Sequence, residues 1–188
     1  MIIASNIEKS YGPQSLFEEV SFLINKGERV GLVGKNGTGK STLFRMILGQ
    51  ESIDSGILST PKGYRIGALE QHIHFTQPTV LKECIEALPP EKQWDHYKAE
   101  IILSGLGFSE QDFEKDPATF SGGFQVRINL CKALLADPNM LLLDEPTNYL
   151  DILSLRWLKE YLNKWPGEMM IITHDRDFMY KVTTHTLG

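Results

Sequence analysis

Two cysteines in 188 residues are too few to build a disulfide framework. Cys84 and Cys131 stand alone in apolar helical stretches, with no C-x-x-C pair and no metal-ligand spacing. They read as packing residues of a reducing compartment. Long apolar runs are missing too. None approaches the roughly 20 residues that cross a bilayer, and the N-terminus has no leader pattern. A cytoplasmic protein without stable membrane insertion is therefore expected. A basic surplus is also lacking, with a net charge of −5 and a pI near 5.5. This argues against a domain that grips nucleic acid with its whole surface, but leaves open a local basic face. What remains, 41% hydrophobic and 23% charged residues, is the composition of a globular chain able to bury one sizeable core.

The chain is organised around Gly34-Lys35-Asn36-Gly37-Thr38-Gly39-Lys40-Ser41-Thr42. The run before it, Arg29 to Val33, is apolar and β-branched as a buried strand is. The run after it, Thr42 to Leu48, has helical spacing and stops at Gly49. Strand, G-x-x-x-x-G-K-S, then helix is the setting a phosphate-binding loop requires. Glycines let successive N–H groups turn inward around an anion, with the positive end of the helix dipole behind them. Lys40 supplies a mobile cation for β- and γ-phosphates, and the Ser41 hydroxyl is a ligand for Mg²⁺. The loop predicts a nucleoside triphosphate ligand.

Around this loop the pattern alternates between strands and helices. Residues 2–8 alternate as a half-exposed strand, Tyr11-Gly12-Pro13 turns, and Val20 to Ile24 reads as a second strand. After the first helix, Ile57-Leu58-Ser59 and Tyr64 to Leu69 read as a hairpin-like pair leading to Glu70-Gln71. Three helices are then expected. Val80, Leu81, Cys84, Ile85 and Leu88 mark the first; Trp94, Tyr97 and Ile101 the second; Val126, Leu130, Ala133 and Leu134 the third. Asn139 to Leu143 is continuously apolar, as a central parallel strand is, and delivers Asp144-Glu145 to its C-terminal end. Asp151 is placed to cap a helix bearing Ile152, Leu155, Leu158 and Leu162. Met169 to Ile172 forms another buried strand, ending at Thr173-His174-Asp175, and Thr186-Leu187-Gly188 resembles a strand begun, as in a fragment of a longer chain.

An aspartate ending a buried strand opposite Ser41 suits Mg²⁺, usually through a water. The neighbouring glutamate suits orienting and deprotonating an attacking water. With Ser121-Gly122-Gly123 downstream of the loop, then Leu141 to Thr147 and His174, these motifs resemble an ATP-binding cassette (ABC) ATPase domain over essentially the whole chain. Glu145-Pro146-Thr147-Asn148-Tyr149-Leu150-Asp151 is similar to the diagnostic string of the ABC-F branch, which has His where Tyr149 stands. Phe120 likewise stands where Leu is usual.

The resemblance implies an α/β P-loop NTPase fold: a mainly parallel sheet, an antiparallel β edge and an inserted helical lobe. It implies a single domain over 1–188, with core 1–71 and 136–188 and lobe about 72–135, the first of two cassettes on one chain. It implies ATP and Mg²⁺ as cofactors. Gln71 would contact Mg²⁺ and the attacking water, and His174 the γ-phosphate. Tyr11 would stack on adenine, although a tyrosine before Gly-Pro serves equally to pack a turn. Ser121, Gly122 and Gly123 would close over ATP held by the other cassette, and Asp151 would cross that interface. Lys40, Gln71, Glu145 and His174 then carry the catalysis. ABC-F proteins act mostly on ribosomes, as translation factors or antibiotic-protection proteins. The short stretch between Gln71 and Ser121 leaves little room for the helical arm many of them carry there. The rival readings are the ATPase subunit of a membrane transporter and a DNA-maintenance ATPase. For the latter, neither a zinc motif nor a coiled-coil repeat is present.

Overall fold

The computed structural model describes residues 1–69 and 73–188. The chain opens with a hairpin of β1 (Ile2–Tyr11) and β2 (Gln14–Ile24), closed by Gly12-Pro13 with Gly12 at φ 57°. The second strand starts well before Val20, because its register with β1 runs back to Tyr11 opposite Gln14. Ile2, Ala4 and Ile7 point into the core, and the alternation shifts at a bulge around Asn6. Lys9, almost fully buried, is held by Glu51 at 2.9 Å and by the Ser52 carbonyl at 2.8 Å.

Next come β3 (Arg29–Leu32), α1 (Lys40–Ile47), β4 (Ser55–Ser59) and β5 (Ile66–Ala68). The expected hairpin of the last two does not form. β4 pairs antiparallel with β1, giving a three-stranded sheet ordered β2-β1-β4. β5 instead joins a second sheet, parallel to β6 (Met140–Asp144). The reason is burial: β4 is largely exposed and completes an edge sheet, whereas Gly67 in β5 is buried against Ala133 and Pro138.

The second sheet is ordered β5-β6-β7-β3-β8, with β7 spanning Glu168–Ile172 and β8 His185–Leu187. Its pairings are all parallel, so the C-terminal ends of its strands share one edge. Period-two alternation divides its apolar residues between two cores. Leu141, Leu143, Met169 and Ile171 join the helices; Met140, Leu142, Met170 and Ile172 join α1 and the hairpin. Continuous apolar runs in β6 and β7 follow from burial on both faces.

The lobe contains α2 (Val80–Ile85), α3 (His96–Gly105) and α4 (Gly122–Leu135), and the return segment adds α5 (Ile152–Lys164) and α6 (Arg176–Val182). α3 lies where the sequence places it but is rotated. Trp94 is 91% exposed and Tyr97 and Ile101 are each 55% exposed, while Ala99, Ile102 and Leu103 face the core. The aromatic spacing marks the helix and mistakes its inner face, because Ala99 and Gly105 permit closer approach than the bulky residues do. Gly105 lies against the Trp157 indole, where a Cβ would stand 2.0 Å from the ring. Ile152 likewise turns outward from the apolar stripe of α5, which is carried by Leu158 and Leu162. Among the described residues no helix is long and apolar enough to cross a membrane.

Candidate nucleotide site

β3 leads directly into the loop. Gly37 and Gly39 stand at φ 82° and 94°, conformations that cost other residues about 1–2 kcal/mol. Gly39 also lies under Phe17, whose Cζ would be 2.8 Å from an added Cβ. Lys40 opens α1 and folds its ammonium back over the loop, donating to the Gly34 and Lys35 carbonyls at 2.9 Å each. The Thr38 hydroxyl donates to the same Lys35 carbonyl at 2.9 Å.

Across from the loop, β6 ends at Asp144, and the Ser41 hydroxyl donates to its Oδ2 at 2.6 Å. The following Glu145 takes φ 51°, and its N–H donates to the Ile172 carbonyl at 2.8 Å. That left-handed turn swings the carboxylate toward His174, whose backbone N–H donates to Oε2 at 3.3 Å. The His174 imidazole, 71% exposed, brings Nε2 within 3.4 Å of Oε1. Thr147 and Thr173 hydroxyls, 3.2 Å apart, join the segments that carry these two residues.

A cavity of about 630 Å³ lies between the two halves. Asn36, Gly37, Gly39, Lys40, Ser41 and Thr42 form one wall, and Asp144, Glu145 and His174 face them. Leu16, Leu69, Val126, Asn148, Tyr149 and Ile172 close the sides. No motif in the sequence marks Leu16, Asn148 or Tyr149 for this wall. Tyr149, which departs from the branch string, is the one of the three that the sequence singles out. Ser41 and Asp144 offer two hard oxygen donors side by side, and no group of three or more His, Cys, Asp or Glu that could hold a metal ion occurs among the described residues. That donor set fits Mg²⁺, which takes one or two protein oxygens and completes its shell with phosphates and water.

Several expected residues lie elsewhere. Tyr11 ends β1 away from the cavity wall, its ring 5.1 Å from the Lys9 ammonium. Ser121 and Gly122 are exposed at the start of α4, also off this wall, and Gly123 abuts Tyr149. Asp151 caps α5, accepting N–H bonds from Leu153 at 3.0 Å and Ser154 at 2.9 Å, and meets Arg127 at 3.0 Å. The Ser154 amide bond, helped by Arg127, pulls its carboxyl down to about 2. Arg127 carries no signal in the sequence, since Asn129 and Lys132 share its stretch of α4. Its guanidinium is buried, donating to the Leu106 carbonyl at 2.8 Å and holding the Tyr149 carbonyl. Gln71 lies outside the described residues.

A strand-loop-helix cradle facing two acids at the carboxyl edge of a parallel sheet defines a P-loop nucleotide-binding domain. The ABC transporter family matches residues 17–148, and the chain belongs to that family. It is 41% identical to the energy-dependent translational throttle protein EttA of Escherichia coli K12, over 97% of this chain and 34% of EttA. It is 36% identical to the uncharacterized ABC transporter ATP-binding protein YfmR of Bacillus subtilis, over 96% of this chain and 34% of YfmR. The chain thus spans about a third of the length of these relatives. Its fold is that of an ABC cassette: the dimeric structure of MJ0796, a bacterial ABC transporter cassette, superposes with a TM-score of 0.77. That match is at 23% identity and covers 97% of this chain and 91% of the other.

Proposed function

We propose that the chain is the first of two cassettes of an ABC-F type ATPase, a single domain with its core at 1–71 and 136–188 and its helical lobe between. It binds Mg·ATP in the cavity and hydrolyses it when a second cassette lays Ser-Gly-Gly over the γ-phosphate. The observation that carries this reading is the placement of Asp144 and Glu145 directly across one cavity from Lys40 and Ser41.

Each residue then has a physical task. Amides of the loop and the α1 N-terminus receive phosphate oxygens, and the Lys40 ammonium exchanges its two carbonyl partners for phosphate. Ser41 and Asp144 would hold Mg²⁺, which neutralises charge that builds on the phosphates. Glu145 takes a proton from water at its carboxylate, and the His174 amide keeps that carboxylate turned to the cavity. Gln71 is assigned to the same water and metal by its family position. Ser121 and Gly122, exposed and off this chain's own cavity wall, are free to serve the other cassette, with Gly123 beside them against Tyr149. Tyr11 and Asp151 keep their family roles only if they exchange present partners: Lys9 for one, Arg127 and the α5 cap for the other.

The relative named as a translational throttle, with the branch string at 145–151, favours the ribosome as target of the full-length protein. The likeness to a transporter cassette favours a membrane permease instead, and the fold is common to both. Full-length Glu145→Gln, incubated with ATP and ribosomes and sedimented, is expected to bind ATP and lose hydrolysis by 10²–10⁴-fold, the typical share of a general base. It is also expected to sediment with ribosomes. Undiminished turnover refutes the base, and a protein left in the supernatant refutes the ribosomal target.

A further inference from the structure

Glu83 on α2 is fully buried and has no place on the cavity wall. Its Oε2 accepts the backbone N–H of Thr76 at 2.9 Å and of Gln77 at 2.8 Å. Its Oε1 is bonded by the ammonium of Lys132, on α4. One carboxylate therefore joins three segments: residues 76–77 ahead of α2, α2 itself and α4. Next in sequence on the same two helices, Cys84 and Cys131 are both fully buried. α2 and α4 thus meet through apolar contact beside the ion pair.

Stability alone does not explain a charge in this place. A buried ion pair is commonly matched or bettered by apolar side chains of similar volume, so its presence is weak evidence of stabilisation. What it supplies is direction: three charge-assisted bonds converge on one carboxylate and allow one arrangement of the segments that make them. α4 is a continuous helix, and Lys132 lies about 15 Å along it from Gly122 at 1.5 Å per residue. A tilt at Lys132 therefore displaces Ser121, Gly122 and Gly123.

We propose that Glu83 and Lys132 are positioning residues that tie residues 76–77 and α2 to α4. They thereby fix the angle at which Ser121, Gly122 and Gly123 are presented to the second cassette. The inference rests on the reading of those three residues as the lid of the partner's site.

The test uses the full-length protein in four forms: unaltered, Lys132→Arg, the pair Glu83→Gln with Lys132→Met, and Gly122→Asp. The paired variant leaves no orphaned charge, so it retains its fold. Gly122→Asp has space, since no atom lies within 4 Å of a Cβ there. The paired variant is expected to lose at least tenfold in kcat while KM for ATP stays within twofold. Lys132→Arg should retain at least half of kcat. A kcat within twofold of the unaltered protein in the paired variant, while Gly122→Asp abolishes turnover, overturns this inference alone. Gly122→Asp with undiminished turnover overturns the lid reading and this inference with it.

Discussion

Replacing Gly39 by alanine tests the loop more sharply than removing its lysine, because the structure separates two costs. The first is conformational: at φ 94° a residue with a Cβ is disfavoured by about 1–2 kcal/mol. The second is steric. The new Cβ would stand 2.8 Å from Phe17 Cζ, and Phe17 is half-buried against the core, so its ring must yield at about 1 kcal/mol. The empty variant loop relaxes and has to be forced back when phosphate enters, so both costs fall on affinity. A total of about 2–3 kcal/mol corresponds to a 30- to 150-fold weaker Kd, at 1.4 kcal/mol per decade. Gly37 is the control. It has φ 82° and no atom within 4 Å of a Cβ, so Gly37→Ala carries the conformational cost alone, about 5- to 30-fold. Phe17→Leu added to Gly39→Ala should recover about fivefold, the steric share. Equilibrium titration with a fluorescent ATP analogue measures all three. Equal losses at the two glycines with no recovery by Phe17→Leu would refute the reasoning, as would a Gly39→Ala affinity within threefold of the unaltered protein.

Two further outcomes concern stability. The Asp151 carboxyl is depressed to about 2, first by the Ser154 amide and then by Arg127, so its stabilisation is complete above the usual carboxylate range. That stabilisation fades as pH falls through about 2, and Asp151→Asn should flatten the loss of Tm between pH 4 and pH 2; an unchanged acid slope contradicts it. Gly105→Ala would bring a Cβ within 2.0–2.4 Å of the Trp157 ring, itself stacked on Tyr161 at 5.1 Å. Overpacking of this kind costs about 1–3 kcal/mol, readable as a lowered urea midpoint, with Trp157→Leu in the same chain restoring most of it.

The local chemistry was written along the chain, and the relations between distant segments were not. Gly34 to Thr42 announced itself because adjacent residues make its cradle, and β6 and β7 because burial on both faces demands uninterrupted apolar runs. The Asp151 cap was equally visible, since a cap bonds amides two and three residues on. Periodicity located α3 but could not orient it, because which face is inner depends on whether Gly105 admits Trp157. β4 and β5 looked like a hairpin since both are short strands around a turn. Only the competing partners β1 and β6 decide their separate sheets. Arg127 and Glu83 become legible only when helices far apart in sequence meet, since a buried charge is recognised by what surrounds it. Sequence alone thus determined what could hold a phosphate, whereas tertiary structure decided what stands opposite it. Main-chain geometry is a local property; the facing of one side chain by another is a property of packing.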